Sequence, residues 1–288
     1  MKPRFAVPEA LKPYLRRVQA NSVGLFLHDS GPTPTKEPPF LLIHGLGDDA
    51  DSWRRVFPLL VQRSRVIAPD LPGFGRSDHP RRAYTLGFFA ETLTALLERL
   101  EVPQAVLVGS SMGAAVALRM ALRWPERVAR LALVGGPPTG SRPSKLQLLF
   151  LIPGQGEQLY NRLRLSQEAA YASLRPYYAD LEALPAEEQA FLRERVWDRV
   201  WSDEQRRAFF SALRWMALEG LWKPLGQLAS LRQPTQVVWG EQDRIIPPEA
   251  GRRLARSIPG ARFQTIPGSG HLPHQEQPEE LVRLISQG

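Results

Sequence analysis

The chain of 288 residues contains no cysteine, and it is short of lysine and of long apolar runs. The absence of cysteine excludes a disulfide framework, a thiolate nucleophile and a metal site built on thiolates. No run approaches the roughly 20 apolar residues that cross a bilayer, and the first residues lack the apolar stretch of a secretory signal. We therefore expect a cytoplasmic protein without a stable membrane anchor, and we assign it no metal site.

The basic residues are distributed unevenly along the chain. Arginine supplies 32 of the 37 basic residues, and the formal net charge is +8 at pH 7. Residues 1–20 carry a net charge of +4, whereas residues 137–222 contain eleven basic and eleven acidic residues. Beyond an N-terminal arm of residues 1–21, the positive charge is scattered and is not interleaved with aromatic residues, as nucleic-acid-binding surfaces require. The sequence therefore predicts no nucleic-acid partner and a solvated N-terminal arm.

Short apolar runs alternate with amphipathic segments through most of the chain. A broken helix is predicted over residues 7–20, where Pro13 interrupts it, and a longer one over residues 49–63. The alternation predicts an α/β fold, in which a mostly parallel sheet carries helices on both faces. The predicted strands cover residues 23–28, 40–43, 65–69, 105–108, 128–134, 235–240 and 262–266.

The alternation is interrupted once, between residues 138 and 222. This stretch is rich in aromatic residues and predicts helices alone. We expect a core of residues 1–137 and 223–288, with residues 138–222 as a helical insertion. Residues 146–152 form its most apolar segment and are the best candidate for a mobile or substrate-facing helix. The predicted helices lie around residues 144–152, 155–165, 167–178, 186–201 and 203–219.

The turn after the strand at residues 105–108 has the sequence Gly-Ser-Ser-Met-Gly and covers residues 109–113. This is G-x-S-x-G between a strand and a helix, the signature of a nucleophile elbow. Gly109 and Gly113 leave space for a sharp turn that lifts the hydroxyl of Ser111 clear of the sheet. Ser111 also begins a helix, where free backbone N–H groups can receive negative charge. We therefore predict Ser111 as a nucleophile.

An activated serine needs a base, and the base needs an orienting acid. His271 follows the last predicted strand, and we prefer it to His274 because adjacent glycines allow its loop to fold over the site. Asp243 follows the strand at residues 235–240, and Glu241 is the alternative in the same loop. The candidates then occur in the chain order serine, aspartate, histidine, which is that of α/β-hydrolases.

An acyl-transfer oxyanion needs two preorganised N–H donors, each worth on the order of 3 kcal/mol of the barrier. The N–H of Met112, directly after the candidate nucleophile, is the first. The N–H of Leu46 is the second, since Gly45 and Gly47 permit close approach of the backbone. We expect His44 to brace this loop rather than to act in catalysis.

With these residues the chain resembles the α/β-hydrolase superfamily, and within it the lid-bearing serine esterases, C–C hydrolases and cofactor-free haloperoxidases. The resemblance implies an eight-stranded sheet with one antiparallel strand pair near its N-terminal edge, a lid formed by residues 138–222, and no cofactor. The motifs that carry it are His44-Gly45-Leu46-Gly47, the loop of residues 70–77, the turn at Ser111, Gly240-Glu241-Gln242-Asp243, and Gly270-His271.

Two positions narrow the function that the resemblance implies. Haloalkane dehalogenases and epoxide hydrolases use an aspartate nucleophile where this chain has Ser111. C–C hydrolases often carry asparagine where this chain has Ser110. We therefore predict cleavage of small carboxylic esters, with an apolar acyl or aryl group, through an acyl-enzyme on Ser111, by a monomer or small homo-oligomer. C–C hydrolysis or perhydrolysis by the same triad, and a ligand receptor without turnover, are the alternatives.

Overall fold

The computed structural model describes residues 5–33, 35, 37–138, 143, 145–220 and 227–287, with Leu146 described through its backbone alone. The first residues of the arm, parts of both ends of the predicted insertion, and the predicted core boundary at residue 223 lie outside these ranges. Eight strands of the described residues form one sheet in the order β1-β2-β4-β3-β5-β6-β7-β8. They are β1 Leu15–Ala20, β2 Val23–Asp29, β3 Phe40–Ile43, β4 Val66–Pro69, β5 Ala105–Ser110, β6 Val128–Val134, β7 Thr235–Gly240 and β8 Arg262–Ile266.

The sheet is mostly parallel, as the sequence predicts. The pairs β4–β3, β3–β5, β5–β6, β6–β7 and β7–β8 are parallel, whereas β2 runs antiparallel to both β1 and β4. The expected α/β-hydrolase sheet of eight strands is therefore confirmed. It has two antiparallel pairs where one was expected, because β2 runs against both of its neighbours. Because β3 and β5 to β8 point the same way, their carboxyl ends meet at one edge, where ligands bind in such sheets.

The prediction of a broken helix over residues 7–20 was wrong in its second half. A 3-10 helix spans Glu9–Tyr14, and β1 follows it directly. Asn21 and Ser22 have φ angles of 49° and 61°, and they join β1 to β2 as a two-residue hairpin turn. Two consecutive positive φ angles are typical of the tight turns that match the twist of paired strands. The edge strand is largely exposed, so it has no apolar run that could have marked it.

Helices lie before, between and after the strands. The helix predicted over residues 49–63 is shorter, because a 3-10 turn at Ala50–Trp53 precedes α1. The described α-helices are α1 Phe57–Val61, α2 Leu86–Arg99, α3 Met112–Arg123, α4 Lys145–Leu151, α5 Gln155–Arg162, α6 Gln167–Ala172, α7 Ala186–Trp201, α8 Asp203–Leu218, α9 Pro248–Arg256, α10 Pro273–Glu276 and α11 Pro278–Ile285. The five helices predicted between residues 138 and 222 correspond to α4 to α8, although α6 ends at Ala172, before its predicted end.

Apolar side chains cover both faces of the sheet. On β5, Leu107 packs into the cluster on one face, and Val106 and Val108 pack into the cluster on the other. This explains why the strand is a continuous apolar run rather than an alternating one. A third cluster, which includes Tyr171 and Tyr178, lies among the helices between β6 and β7. Several aromatic residues of this region therefore build its own core.

The packing of α3 on β3 depends on Gly113. A Cβ atom at Gly113 would lie 2.2 Å from the carbonyl oxygen of Ile43. We expect Gly113→Ala to lower the free energy of unfolding by about 2 kcal/mol or more, because backbone atoms must move apart. Gly87→Ala is the control: its Cβ would meet its nearest neighbour at 3.7 Å in the first turn of α2. It should stabilise the protein by up to about 1 kcal/mol. Equal urea midpoints for the two variants would contradict this account.

Candidate active site

The turn between β5 and α3 holds Ser111 in an unusual backbone conformation. Its φ is 53° and its ψ is −113°, and it is the N-cap residue of α3. Its N–H donates to the carbonyl of Val134 at 2.8 Å, and its carbonyl accepts from the N–H of Ala114 at 3.1 Å. A positive φ is uncommon for a residue with a side chain. Hydrogen bonds to the next strand and to the helix thus fix a half-buried serine above the strand ends.

Close approach of neighbouring backbone leaves no room for side chains around this turn. A Cβ atom at Gly109 would lie 2.3 Å from the carbonyl oxygen of Gly113, and one at Gly136 would lie 2.5 Å from that of Ser111. From the sequence we predicted that Gly109 and Gly113 allow this sharp turn, but we did not predict a role for Gly135 and Gly136. The Gly-Gly-Pro sequence directly after a buried strand could have indicated that the backbone is closely approached there.

His271 and Asp243 lie in contact after β8 and β7. The Nδ1 of His271 is 2.8 Å from Oδ2 of Asp243, and both side chains are buried. The other carboxylate oxygen of Asp243 accepts from the N–H groups of Ile245 and Ile246 at 2.8 and 2.9 Å. Because a carboxylate only accepts, Nδ1 carries a ring proton, and in the neutral imidazole the lone pair is then on Nε2. The imidazole is therefore held in one tautomer and one orientation.

The glycine pair after β6 lies between Ser111 and His271. A Cβ atom at Gly135 would lie 3.1 Å from the carbonyl oxygen of His271 and 3.4 Å from its Nδ1. One at Gly136 would lie 2.8 Å from the Cα atom of Ser111. Two consecutive residues thus touch the serine and the histidine. The structure therefore brings Ser111, His271 and Asp243 together at the carboxyl edge of the sheet.

The loop that carries His271 is tied to the region between β6 and β7. The N–H of His271 donates to the carbonyl of Tyr177 at 2.7 Å. Glu276 accepts from the N–H groups of Gly270 and Ala179, each at 2.7 Å. Burial raises the pKa of the Glu276 carboxyl, and the hydrogen bonds from Ala179 and Gly270 oppose that rise. One carboxylate therefore links the histidine loop to the helical region.

The two alternatives raised by the sequence lie elsewhere. His274 is fully buried against Trp53, with ring centroids 4.4 Å apart. Neither of its ring nitrogens has a hydrogen-bond partner among the residues that the structure describes. Burial, with a smaller effect of the nearby charge of Arg54, lowers its pKa to about 3, so it is neutral at pH 7. Glu241 is exposed to solvent, whereas Asp243 contacts the imidazole.

The expected N–H donors lie on either side of the serine. Met112 is the first residue of α3, so its N–H has no acceptor within the helix. Leu46 follows Gly45, where a Cβ atom would lie 3.4 Å from the Cβ of Ser111. Gly47, with a φ of 75°, turns the chain directly after Leu46. The backbone around Leu46 therefore runs beside the serine side chain.

His44 braces this loop, as the sequence predicts. The N–H of Leu71 donates to Nε2 of His44 at 2.9 Å, so the ring proton lies on Nδ1. Nδ1 then donates to the carbonyl of Gly45 at 2.8 Å. The imidazole thus joins the loop after β3 to the loop after β4 and has no free nitrogen for chemistry.

A buried group of ion pairs lies behind the loop after β3. Asp51 pairs with Arg76 at 2.8 Å and with Arg195 of α7, and Asp49 pairs with Arg199 of α7 at 3.1 Å. Burial alone would raise the pKa of Asp49, but the charges of Arg195 and Arg199 outweigh it and hold the pKa far below its usual range. Residues 137–222 have equal numbers of basic and acidic residues, but two of these arginines, Arg195 and Arg199, form buried ion pairs with aspartates outside this stretch.

Among the residues that the structure describes, no three histidine, aspartate or glutamate side chains are grouped so that they could hold a metal ion. Within the same ranges, no helix has both the length and the apolar character needed to cross a bilayer.

Comparison with known proteins identifies the class. The model of the alpha/beta hydrolase fold family matches residues 38–278. The chain is 33% identical over 285 residues to the uncharacterized hydrolase YugF of Bacillus subtilis (strain 168), covering 96% of this chain and 98% of that protein. It is 32% identical over 274 residues to a 2-hydroxymuconate semialdehyde hydrolase of Pseudomonas sp. (strain CF600), covering 94% and 92%.

A solved structure of another hydrolase is similar to the chain in both fold and sequence. The chain is similar to a thermophilic esterase from Thermogutta terrifontis, with a TM-score of 0.77 and 27% identity over 95% of this chain and 97% of that one. The chain belongs to the α/β-hydrolase family. Together, the family and these relatives support a hydrolase.

The buried His274 makes the stability of the fold depend on pH. Its pKa falls from 6.5 to about 3 on folding, so the unfolded state binds the proton more tightly. Its contribution to stability is complete above pH 6.5 and is lost as the pH falls towards 3. Between pH 7.5 and 5.0 we expect His274 to account for a loss of about 2 kcal/mol in the free energy of unfolding.

The variant His274→Leu isolates this contribution. It keeps an apolar side chain against Trp53 and removes the titrating ring. Urea denaturation of both proteins at the two pH values should give a loss that is about 2 kcal/mol smaller in the variant. Parallel losses in the two proteins would show that His274 is not the group responsible.

Proposed function

We propose that the protein is a serine hydrolase of carboxylic esters that works through an acyl-enzyme on Ser111. The observation that carries the proposal is the 2.8 Å contact between Asp243 and Nδ1 of His271, at the same edge of the sheet as the turn at Ser111. A histidine oriented in this way is a general base, and a serine on a strained turn is the nucleophile it serves.

The reaction then follows from the placement of the protons. Nε2 of His271 takes the hydroxyl proton while the oxygen of Ser111 attacks the ester carbonyl. Asp243 keeps the imidazole oriented and stabilises its positive charge. His271 next protonates the departing alcohol, and the acyl group remains on Ser111. His271 finally deprotonates a water molecule that attacks the acyl-enzyme and releases the acid.

The N–H groups of Leu46 and Met112 stabilise the oxyanion of each tetrahedral intermediate. Both belong to backbone that lies beside Ser111, and Met112 has the free N–H of a first helical residue. Donors that are already in place gain strength as charge develops on the oxygen. We assign them this role, since no side-chain movement is needed to recruit them.

We assign the helical region between β6 and β7 as the lid. Its aromatic side chains favour a substrate with an apolar acyl or aryl group. The ring of Tyr177 is 5.9 Å from the ring of His271 and is 38% exposed. Phe209 of α8 lies against Gly47, next to the proposed donor Leu46. Aromatic surface thus approaches the site from two sides, which favours an apolar group in the substrate.

A panel of p-nitrophenyl esters of increasing acyl length tests this function. We expect turnover by the wild type and a loss of at least about 1,000-fold in kcat for Ser111→Ala, with the fold retained by circular dichroism. A fluorophosphonate should label the wild type and not the variant. Ester turnover that survives in Ser111→Ala would remove Ser111 from the mechanism.

Cleavage of a carbon–carbon bond is the second candidate, because one similar protein is a 2-hydroxymuconate semialdehyde hydrolase. Such cleavage uses the same serine and histidine but must stabilise a carbon leaving group. Ser110 stands directly before the nucleophile, and its buried hydroxyl has no hydrogen-bond partner among the described residues. That hydroxyl is smaller than the asparagine amide that C–C hydrolases often carry there.

Product analysis separates the two candidates. A vinylogous 1,5-diketone and the best p-nitrophenyl ester should be compared on the same enzyme preparation. We expect kcat/KM to be higher for the ester by at least about 100-fold, a difference of roughly 3 kcal/mol in transition-state stabilisation. A preference of that size for the diketone would replace the ester assignment with C–C hydrolysis.

A further inference from the structure

The loop that carries the proposed oxyanion donor is held from the helical region by a buried amide. We define the oxyanion loop as residues 45–49. Nε2 of Gln205 donates to the carbonyl of Gly47 at 3.3 Å, and Oε1 of Gln205 accepts from the N–H of Gly75 at 3.1 Å. The side chain is 1% exposed. Because a backbone N–H can only donate, the contact with Gly75 fixes which end of the amide faces Gly47.

Gln205 is itself firmly placed. It lies in the first turn of α8, and its N–H donates to Oγ of Ser202, the N-cap residue, at 3.2 Å. One turn later, Phe209 packs against the same loop, since a Cβ atom at Gly47 would lie 3.0 Å from its ring. The start of α8 therefore contacts Gly47 through one hydrogen bond and one aromatic ring.

A second helix holds the next residues of the oxyanion loop. Arg199, near the end of α7, pairs with Asp48 and lies 3.1 Å from Oδ2 of Asp49. Arg195, one turn earlier, is 3.5 Å from the same oxygen. These ion pairs are buried or largely so, and they fix the far side of the loop. Among the contacts that α7 and α8 make with this loop, the hydrogen bond of Gln205 is thus the polar contact closest in the chain to Leu46.

We propose that Gln205 is a positioning residue that, together with His44 at the carbonyl of Gly45, orients the N–H of Leu46 by holding the carbonyl of Gly47, so that the start of α8 must be in place for the oxyanion site to be complete. This inference rests on the proposed function. Gly47 has a positive φ and no side chain to restrict it, so its carbonyl needs an external partner to keep one orientation. Gln205 supplies that partner without touching the substrate.

Two variants test the hydrogen bond. Gln205→Leu removes both contacts at similar volume, and Gln205→Met removes them with a neutral side chain that is unbranched like that of glutamine. We expect each to lower kcat for the best p-nitrophenyl ester by about 10- to 100-fold, with KM changed less than about threefold, because a misplaced donor weakens the transition state more than the bound substrate. The rate of labelling by a fluorophosphonate should fall in parallel.

Ser211→Ala is the matched control. Oγ of Ser211 accepts from the N–H of Tyr84 at 3.2 Å, so it is also a hydrogen bond between α8 and the core, but away from the oxyanion loop. It should leave kcat unchanged. Thermal unfolding shows whether each variant is folded, and if Gln205→Leu is not, Gln205→Met decides the test because its side chain is unbranched like that of glutamine.

The possible results distinguish a failure of the positioning role from a failure of the proposed function. A folded variant of Gln205 with wild-type kcat and labelling rate overturns the positioning role and leaves the serine hydrolase intact. A fall in kcat of the same size in Ser211→Ala shows a general loosening of α8 and also overturns the positioning role. A wild type that neither turns over esters nor reacts with the fluorophosphonate overturns the proposed function, and the positioning role with it.

Discussion

The backbone of Ser111 imposes the constraint on which the surrounding structure depends. A residue with a side chain at a φ of 53° and a ψ of −113° costs on the order of 1–3 kcal/mol, and it persists only where its neighbours determine it. Here a hydrogen bond to Val134 ties it to the next strand, and the glycines at positions 109 and 136 allow backbone to approach within contact distance. The same glycine segment touches His271 through Gly135. The strain at one residue is therefore supported by the elements that also carry the other proposed catalytic groups.

Buried charge supplies the second constraint. Arg195 and Arg199 of α7 reach three aspartates directly beyond the glycines of the oxyanion loop. Removing one partner of such a pair leaves an uncompensated charge in the interior, at a cost of about 3–5 kcal/mol. The helix cannot leave the loop without exposing or orphaning these charges. A lid in this protein would therefore move only in parts that are remote from α7 and from the start of α8. These two elements would stay in place beside the loop that carries Leu46.

The sequence predicts much of this arrangement because the relevant signals are local. An apolar run marks each buried strand, and a small-residue turn marks Ser111, while the candidate acid and base follow strands directly. Other features have no local signal. The strand β1 is mostly exposed and lacks an apolar run. The pairing of Arg195 with Asp51 joins positions 144 residues apart, and charge counting makes both look solvated. In the sequence, Gln205 is only one polar residue on an amphipathic helix. Nothing nearby in the chain indicates its two backbone partners, Gly75 and Gly47.

The choice between ester and carbon–carbon cleavage turns on the leaving group rather than on the shared catalytic residues. In both proposed reactions the hydroxyl oxygen of Ser111 would attack a carbonyl, so both would need the oxyanion loop in the same place, and the role proposed for Gln205 would apply to either one. An ester releases an oxygen that His271 can protonate directly from Nε2. A carbon leaving group carries its charge into the rest of the substrate, where additional polar groups must stabilise it. The polar group nearest in the chain to the nucleophile is the buried hydroxyl of Ser110, and aromatic surface from Tyr177 lies beside His271. These surroundings suit an oxygen leaving group and an apolar acyl chain, which is why the ester is the stronger assignment.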